Sequence, residues 1–139
     1  IVTVAKPIAG GLPLGAVMFG EKVAAKFPLS GHGSTFAGGP MVCRVALEFL
    51  DEMQRLLPNI QSTGDALAEM LGQFGEVRGR GLMRAIPIDR PGDPIVTAAR
   101  DAGLLINCTQ STVLRFLPPY ILTRGQVAEA GAILERAIS

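Results

Sequence analysis

The chain has 139 residues, 48% of them hydrophobic and 18% charged, with a formal net charge of +1. That length holds one domain with a core, or one small domain and part of another. The composition excludes a disordered chain, and the near-neutral, interleaved charge leaves no footprint for nucleic acid or an acidic membrane surface.

In chain order, residues 1–5 are apolar and β-branched and read as a short buried strand that ends at Lys6. The stretch from Pro7 to Gly15 holds three glycines and two prolines in nine residues, which excludes a helix interior. Residues 16–19 read as a second strand, and residues 21–27 as a short helix stopped by Pro28. Residues 30–39 form a second glycine-rich loop, after which Pro40 suits the first position of a helix. Val42, Val45, Ala46, Phe49, Leu50, Met53, Leu56 and Leu57 recur at helical spacing, so an amphipathic helix is expected up to Pro58. A further helix over residues 60–73 places Ile60, Leu67, Met70 and Leu71 on one face.

Val77 and residues 82–88 read as a strand broken at Gly79 and Gly81. Asp93 reads as the N-cap of a short helix with Pro94 in its first turn and Gly103 at its end. Residues 104–107 and 112–117 read as the two strands of a hairpin closed off by Pro118-Pro119. Thr123 and Gln126 have capping-box spacing, and Val127, Ala130, Leu134, Ala137 and Ile138 mark the apolar face of a last helix. Composition changes near residue 40, from glycine-rich loops between short strands to an α+β pattern. Two domains are therefore expected, over residues 1–40 and 41–139. The chain starts without Met inside an apolar run, which is expected of part of a longer polypeptide.

No segment has the run of about eighteen apolar residues that a membrane span needs, and the first residues lack the features of a signal peptide. Cys43 and Cys108 match no metal spacing and read as reduced, cytosolic thiols. His32 is the single histidine and has no partner pattern for a metal site or a catalytic triad, so no metal is expected.

Four groups of residues could carry chemistry. A lysine held at the end of a buried strand is partly desolvated, which disfavours its ammonium form and readies it for attack on a carbonyl; Lys6 is such a candidate, the alternative being a lysine that points to solvent. In Gly31-His32-Gly33-Ser34-Thr35-Phe36 the glycines allow close backbone approach to an anion and the hydroxyls can donate to phosphate, although such loops also serve as connectors. Arg115 sits in an apolar strand on the face shared by Val113 and Leu117, which places it in a buried or cleft-facing position suited to a carboxylate. Arg78, Arg80 and Arg84 flank Gly79 and Gly81 and read as a solvated face with structural salt bridges.

The order of these segments resembles the class III pyridoxal-phosphate aminotransferases, and within them the acetylornithine branch. Ala5-Lys6-Pro7-Ile8-Ala9-Gly10-Gly11-Leu12-Pro13-Leu14-Gly15-Ala16 is similar to the family's cofactor-lysine segment, and His32-Gly33-Ser34-Thr35-Phe36 to its phosphate-binding Ser-Thr segment. Val77-Arg78-Gly79-Arg80-Gly81-Leu82-Met83 is similar to its small-domain strand. Gly103-Leu104-Leu105-Ile106-Asn107 followed by Leu114-Arg115-Phe116-Leu117-Pro118-Pro119 is similar to its C-terminal hairpin. Gly39 before Pro40, where the family has Asn, departs from the pattern, as do Arg84 and Pro87 after Leu82-Met83.

The resemblance implies an α/β to α+β fold, the C-terminal part of a fold-type I transferase dependent on pyridoxal 5′-phosphate. Residues 1–40 would end the large cofactor-binding domain and residues 41–139 would form the small domain. It implies that Lys6 is catalytic and carries the cofactor, that Thr35 binds the cofactor phosphate of a neighbouring subunit in a homodimer, that Ser34 binds substrate, and that Arg115 binds the substrate near its carboxylate or pairs with an active-site glutamate. The implied reaction is transamination of an ω-amino group, N-acetylornithine with 2-oxoglutarate, in arginine biosynthesis in the cytoplasm, with no nucleic-acid or membrane partner. Succinyl-diaminopimelate, ornithine and 4-aminobutyrate are alternative donors, and a non-catalytic folded fragment is the other reading. The family's aspartate for the pyridine nitrogen, its Gly-Thr loop and its ring-stacking aromatic would precede Lys6, so this stretch alone is expected to be inactive.

Overall fold

In the computed structural model, which describes residues 1–28, 30–35 and 37–139, the chain divides into two units, Ile1–Arg55 and Leu56–Ser139. Leu29 lies outside the described residues, as does Phe36 of the second glycine-rich motif.

In the first unit β1 (Val2–Val4) pairs antiparallel with β2 (Ala16–Met18), with Val2 opposite Met18 and Val4 opposite Ala16. A 3-10 turn over Lys6–Ala9 joins them, and it ends at Gly10. Gly10 has φ +60°, a left-handed conformation that glycine adopts without a Cβ clash, and its N–H donates to the Pro7 carbonyl at 2.8 Å. Both strands were expected from the sequence, but the burial expected of the first was not reproduced: Val2 is 54% exposed, and Val17 of the second strand is 57% exposed. A two-stranded ribbon has one neighbour per strand and no covering layer of its own, so alternation cannot bury either face. The helix α1 (Glu21–Ala24) is shorter than the span expected before Pro28.

The helix α2 runs unbroken from Pro40 to Leu71, where two helices separated at Pro58 were expected. Proline at an interior position removes one hydrogen bond and costs about 3 kcal/mol. The turn that follows it is held both from outside the helix and by a side chain within it. Asn59 Nδ2 donates to the carbonyls of Tyr120 and Leu122, both at 3.3 Å, and Thr63 Oγ1 donates to the Asn59 carbonyl at 2.7 Å. Leu67, Met70 and Leu71 then enter the core. Tertiary contacts outweigh the local break.

The second unit is a four-stranded antiparallel sheet, β3 (Arg78–Arg80), β4 (Met83–Pro87), β5 (Asn107–Thr109) and β6 (Val113–Phe116), in the order β3-β4-β6-β5. The expected broken strand near residues 77–88 is thus a hairpin, turned at Gly81 with φ +56°. One face of the sheet, carrying Ile86, Leu114 and Phe116, packs with residues of α2, α3 (Asp93–Asp101) and α4 (Arg124–Ile138) in a single core. Asp93 is the first residue of α3 and Gly92 its cap, one position from the expected N-cap. Gly92 lies so close to Cys108 that a Cβ there would sit 2.5 Å from the sulfur, which leaves no room for a capping side chain. The end of α3 follows the sequence closely. Gly103 has φ +94°, its N–H donates to the Arg100 carbonyl, and the Leu104 N–H donates to the Ala99 carbonyl, the Schellman pattern. The capping box of α4 is present, with Gln126 N donating to Thr123 Oγ1 at 3.2 Å and Thr123 N donating to Gln126 Oε1 at 3.0 Å.

Arg84 departs from the solvated role expected of it. Its side chain is 14% exposed and lies on the helix-covered face. Nε donates to the Gly81 carbonyl at 2.8 Å, Nη1 to Gly79 at 2.9 Å and Nη2 to Gly64 of α2 at 3.3 Å. A partly buried guanidinium thus satisfies three backbone acceptors and ties the β3–β4 turn to the helix, and the salt bridge expected of it is present as Nη2 lies 3.9 Å from Asp65 Oδ1.

Candidate functional site

Lys6 lies two residues past the end of the β1 strand and opens the 3-10 turn. Its φ is +59°, rare for a residue with a Cβ and worth about 1–2 kcal/mol of strain. The side chain is exposed, not desolvated, because the ribbon that carries it is itself uncovered. It borders a hollow of about 310 Å³ lined by Thr3, Val4, Ala5, Lys6 and Pro7, at the small end of the range for ligand sites.

Ser34 and Thr35 lie on the exposed second glycine-rich loop of the same unit. They face the first loop. Ser34 and His32 share a hollow with Pro13, Leu14 and Gly15, and Thr35 shares another with Pro13, Gly39 and Val42. The hollow at Lys6 has a separate lining, so one copy of the chain gives Lys6 and Thr35 different settings.

Arg115 belongs to the second unit. The sequence reading grouped it correctly with Val113 and Leu117, yet that face is the open one: Leu114 and Phe116 are 0% and 4% exposed, whereas Leu117 is 62% exposed. The helices cover only the other face of the sheet, so the guanidinium is presented outward. Its Nε donates to Asn107 Oδ1 at 3.1 Å across the β5–β6 pair. Asn107 was not singled out from the sequence. Only the hairpin register, with Thr109 opposite Val113, places it against Arg115.

The sequence matches the family described as Aminotransferase class-III over residues 1–138. The chain belongs to that family. It is 39% identical over 140 residues to the acetylornithine aminotransferase of Aquifex aeolicus, covering 99% of this chain and 37% of that protein. To the mitochondrial acetylornithine aminotransferase of Alnus glutinosa it is 41% identical over 144 residues, covering 96% of this chain and 32% of that protein. Among solved structures, an amine transaminase from an uncultivated Pseudomonas species, in its PLP-bound form, superposes with a TM-score of 0.85 at 31% identity. The match covers 97% of this chain and 37% of that one. The chain therefore spans about a third of the length of the relatives it matches, and its mixed helix-and-strand fold is that of a portion of a fold-type I PLP-dependent aminotransferase.

Pyridoxal 5′-phosphate is the cofactor of the family, and the groups present here fit it. The cofactor has an aldehyde and a phosphate. Lys6 offers a solvent-accessible primary amine at a hollow, and Ser34 and Thr35 offer hydroxyls on a glycine-rich loop. No helix among the described residues is long and apolar enough to cross a membrane.

Proposed function

We propose that this chain supplies the lysine and part of the substrate site of an aminotransferase that acts on an ω-amino group, with N-acetylornithine as donor and 2-oxoglutarate as acceptor, a step of arginine biosynthesis. Residues 1–40 are read as the end of the cofactor-binding domain and residues 41–139 as the small domain. The observation that carries the reading is Lys6, a solvent-accessible amine locked in a left-handed conformation at a strand end and beside a hollow, on a segment that falls within the family match.

Each residue has a stated task. Lys6 would hold the cofactor through its amine and would move a proton at the carbon that bears the transferred amino group. Thr35 donates to the cofactor phosphate of a second copy, in keeping with its setting apart from Lys6. Ser34 touches the substrate, and Arg115 takes a substrate carboxylate. The cofactor supplies an electron sink, and the protein supplies orientation and electrostatics. The working form is read as a homodimer in the cytoplasm, where free Cys43 and Cys108 are expected to stay reduced.

The test is an absorbance titration of the protein with pyridoxal phosphate, followed by borohydride reduction and peptide mapping by mass spectrometry. The reduced cofactor is expected on Lys6 and absent from Lys6→Ala; a reduced cofactor elsewhere, with Lys6 unmodified, ends the assignment. A panel of acetylornithine, succinyl-diaminopimelate, ornithine and 4-aminobutyrate then fixes the donor, and a different preferred donor replaces the one named here.

A further inference from the structure

We propose that Asn107 is the positioning residue for Arg115, and that it leaves the outer Nη1/Nη2 edge of the guanidinium to grip a carboxylate of the substrate end-on. The inference rests on the reading of Arg115 as a substrate-binding group and adds how that group is aimed. A guanidinium can meet a carboxylate bidentately through its Nε/Nη2 side or through its Nη1/Nη2 end. Here the side edge is taken. Nε donates to Asn107 Oδ1 at 3.1 Å, and because arginine has no acceptor the Asn107 atom facing it must be the oxygen.

The geometry behind this contact is set by the sheet. Asn107 and Arg115 are a register pair on adjacent strands, and strands lie about 4.8 Å apart, so a short amide reaches the Nε of its neighbour. On the other side Arg115 faces Ala85 of β4, whose methyl group can neither compete for the guanidinium nor block it. The buried neighbours Leu114 and Phe116 fix the strand's facing, so Arg115 cannot turn into the core.

The chemistry of the tether matters as much as its position. Of the ten arginines of this chain, five are matched to carboxylates among the described residues: Arg44 to Glu48, Arg55 to Glu52, Arg78 to Glu76, Arg84 to Asp65 and Arg100 to Asp101. Among the described residues no carboxylate pairs with Arg115. A neutral amide orients the cation without cancelling its charge, which leaves the whole charge for an incoming anion. An aspartate at position 107 would hold the same geometry and neutralise the group.

The test uses the active holoenzyme containing this chain, with 2-oxoglutarate as the probe. Asn107→Ala is expected to raise KM for 2-oxoglutarate about 3–10-fold, the worth of one ordinary hydrogen bond, with kcat within about twofold. Arg115→Gln is expected to raise the same KM further, and adding Asn107→Ala to it is expected to change nothing more. Asn107→Asp is expected to raise KM at least as much as Asn107→Ala while keeping the Arg115 Nε–H slow to exchange with water, whereas Asn107→Ala speeds that exchange. If Arg115→Gln raises KM and Asn107→Ala does not, the positioning role is wrong and the reading of Arg115 stands. If Arg115→Gln leaves KM unchanged, that reading is wrong and the inference falls with it. A fall in kcat and stability from Asn107→Ala at constant KM marks a purely structural contact and also overturns the proposal.

Discussion

The two units of the chain solve different problems. Leu56–Ser139 closes a core of its own: Leu71, Ile86, Leu114 and Leu134 are fully buried, and three helices cover one face of a four-stranded sheet. In Ile1–Arg55 the buried apolar residues among those described are Ala9 and Ala46, the two smallest side chains that could serve, while Val2, Val17, Met18 and Phe27 stand half exposed. Yet Lys6, Ser34 and Thr35, the residues with the most chemistry to offer, sit in this poorly covered unit. The unit with the larger buried core and the unit that carries the lysine are different parts of one chain.

Substitutions sharpen that contrast. The largest effect is expected at Leu134, which is 0% exposed in the core of the second unit. Leu134→Ala removes buried methyl groups and leaves a cavity, and should cost about 2–5 kcal/mol by denaturant unfolding. A smaller loss is expected at Gly64 within α2, where a Cβ would lie 2.7 Å from the Gly81 carbonyl oxygen. Gly64→Ala gains about 1 kcal/mol of helix propensity, but the backbone contact cannot yield cheaply, so a net loss of about 1–3 kcal/mol is expected. An unfolding midpoint that rises in Gly64→Ala would show that the close approach relaxes. The smallest effect belongs to the first unit. Val17 is 57% exposed, so Val17→Ala should change stability by less than about 0.5 kcal/mol; a loss comparable to that of Leu134→Ala would mean that something covers this face in solution and would break the comparison.

How far the sequence could be read follows the same division. In the second unit local signals and tertiary packing agree, so the helix end at Gly103, the capping box at Thr123 and the hairpin before Pro118 were legible, although the first hairpin strand is Asn107–Thr109 where residues 104–107 were expected. Its misreadings came from long-range terms. Pro58 signals a break, but Asn59 is held by carbonyls some sixty residues away, and no local pattern contains that contact. Arg84 resembles any surface arginine until the turn at Gly81 folds its carbonyls around it. Arg115 was placed on the correct side of its strand, and of the two settings expected, buried or cleft-facing, burial does not hold, because alternation gives parity and does not say which face the helices cover. In the first unit the strands were legible from short apolar runs, but the exposure of the first was not, because burial depends on what lies against a sheet. Lys6 was found from its place between a strand and a glycine-rich loop, without the left-handed φ that the structure adds.

That backbone angle sets a conflict between folding and chemistry at a single position. At φ +59° a glycine would relieve about 1 kcal/mol of strain that the lysine imposes, and asparagine would relieve part of it. A variant library sorted only for folded protein should drift away from lysine at position 6, whereas one sorted for cofactor capture should hold it. Stability-guided redesign of this chain would therefore act against the lysine proposed to hold the cofactor, unless that position is frozen beforehand.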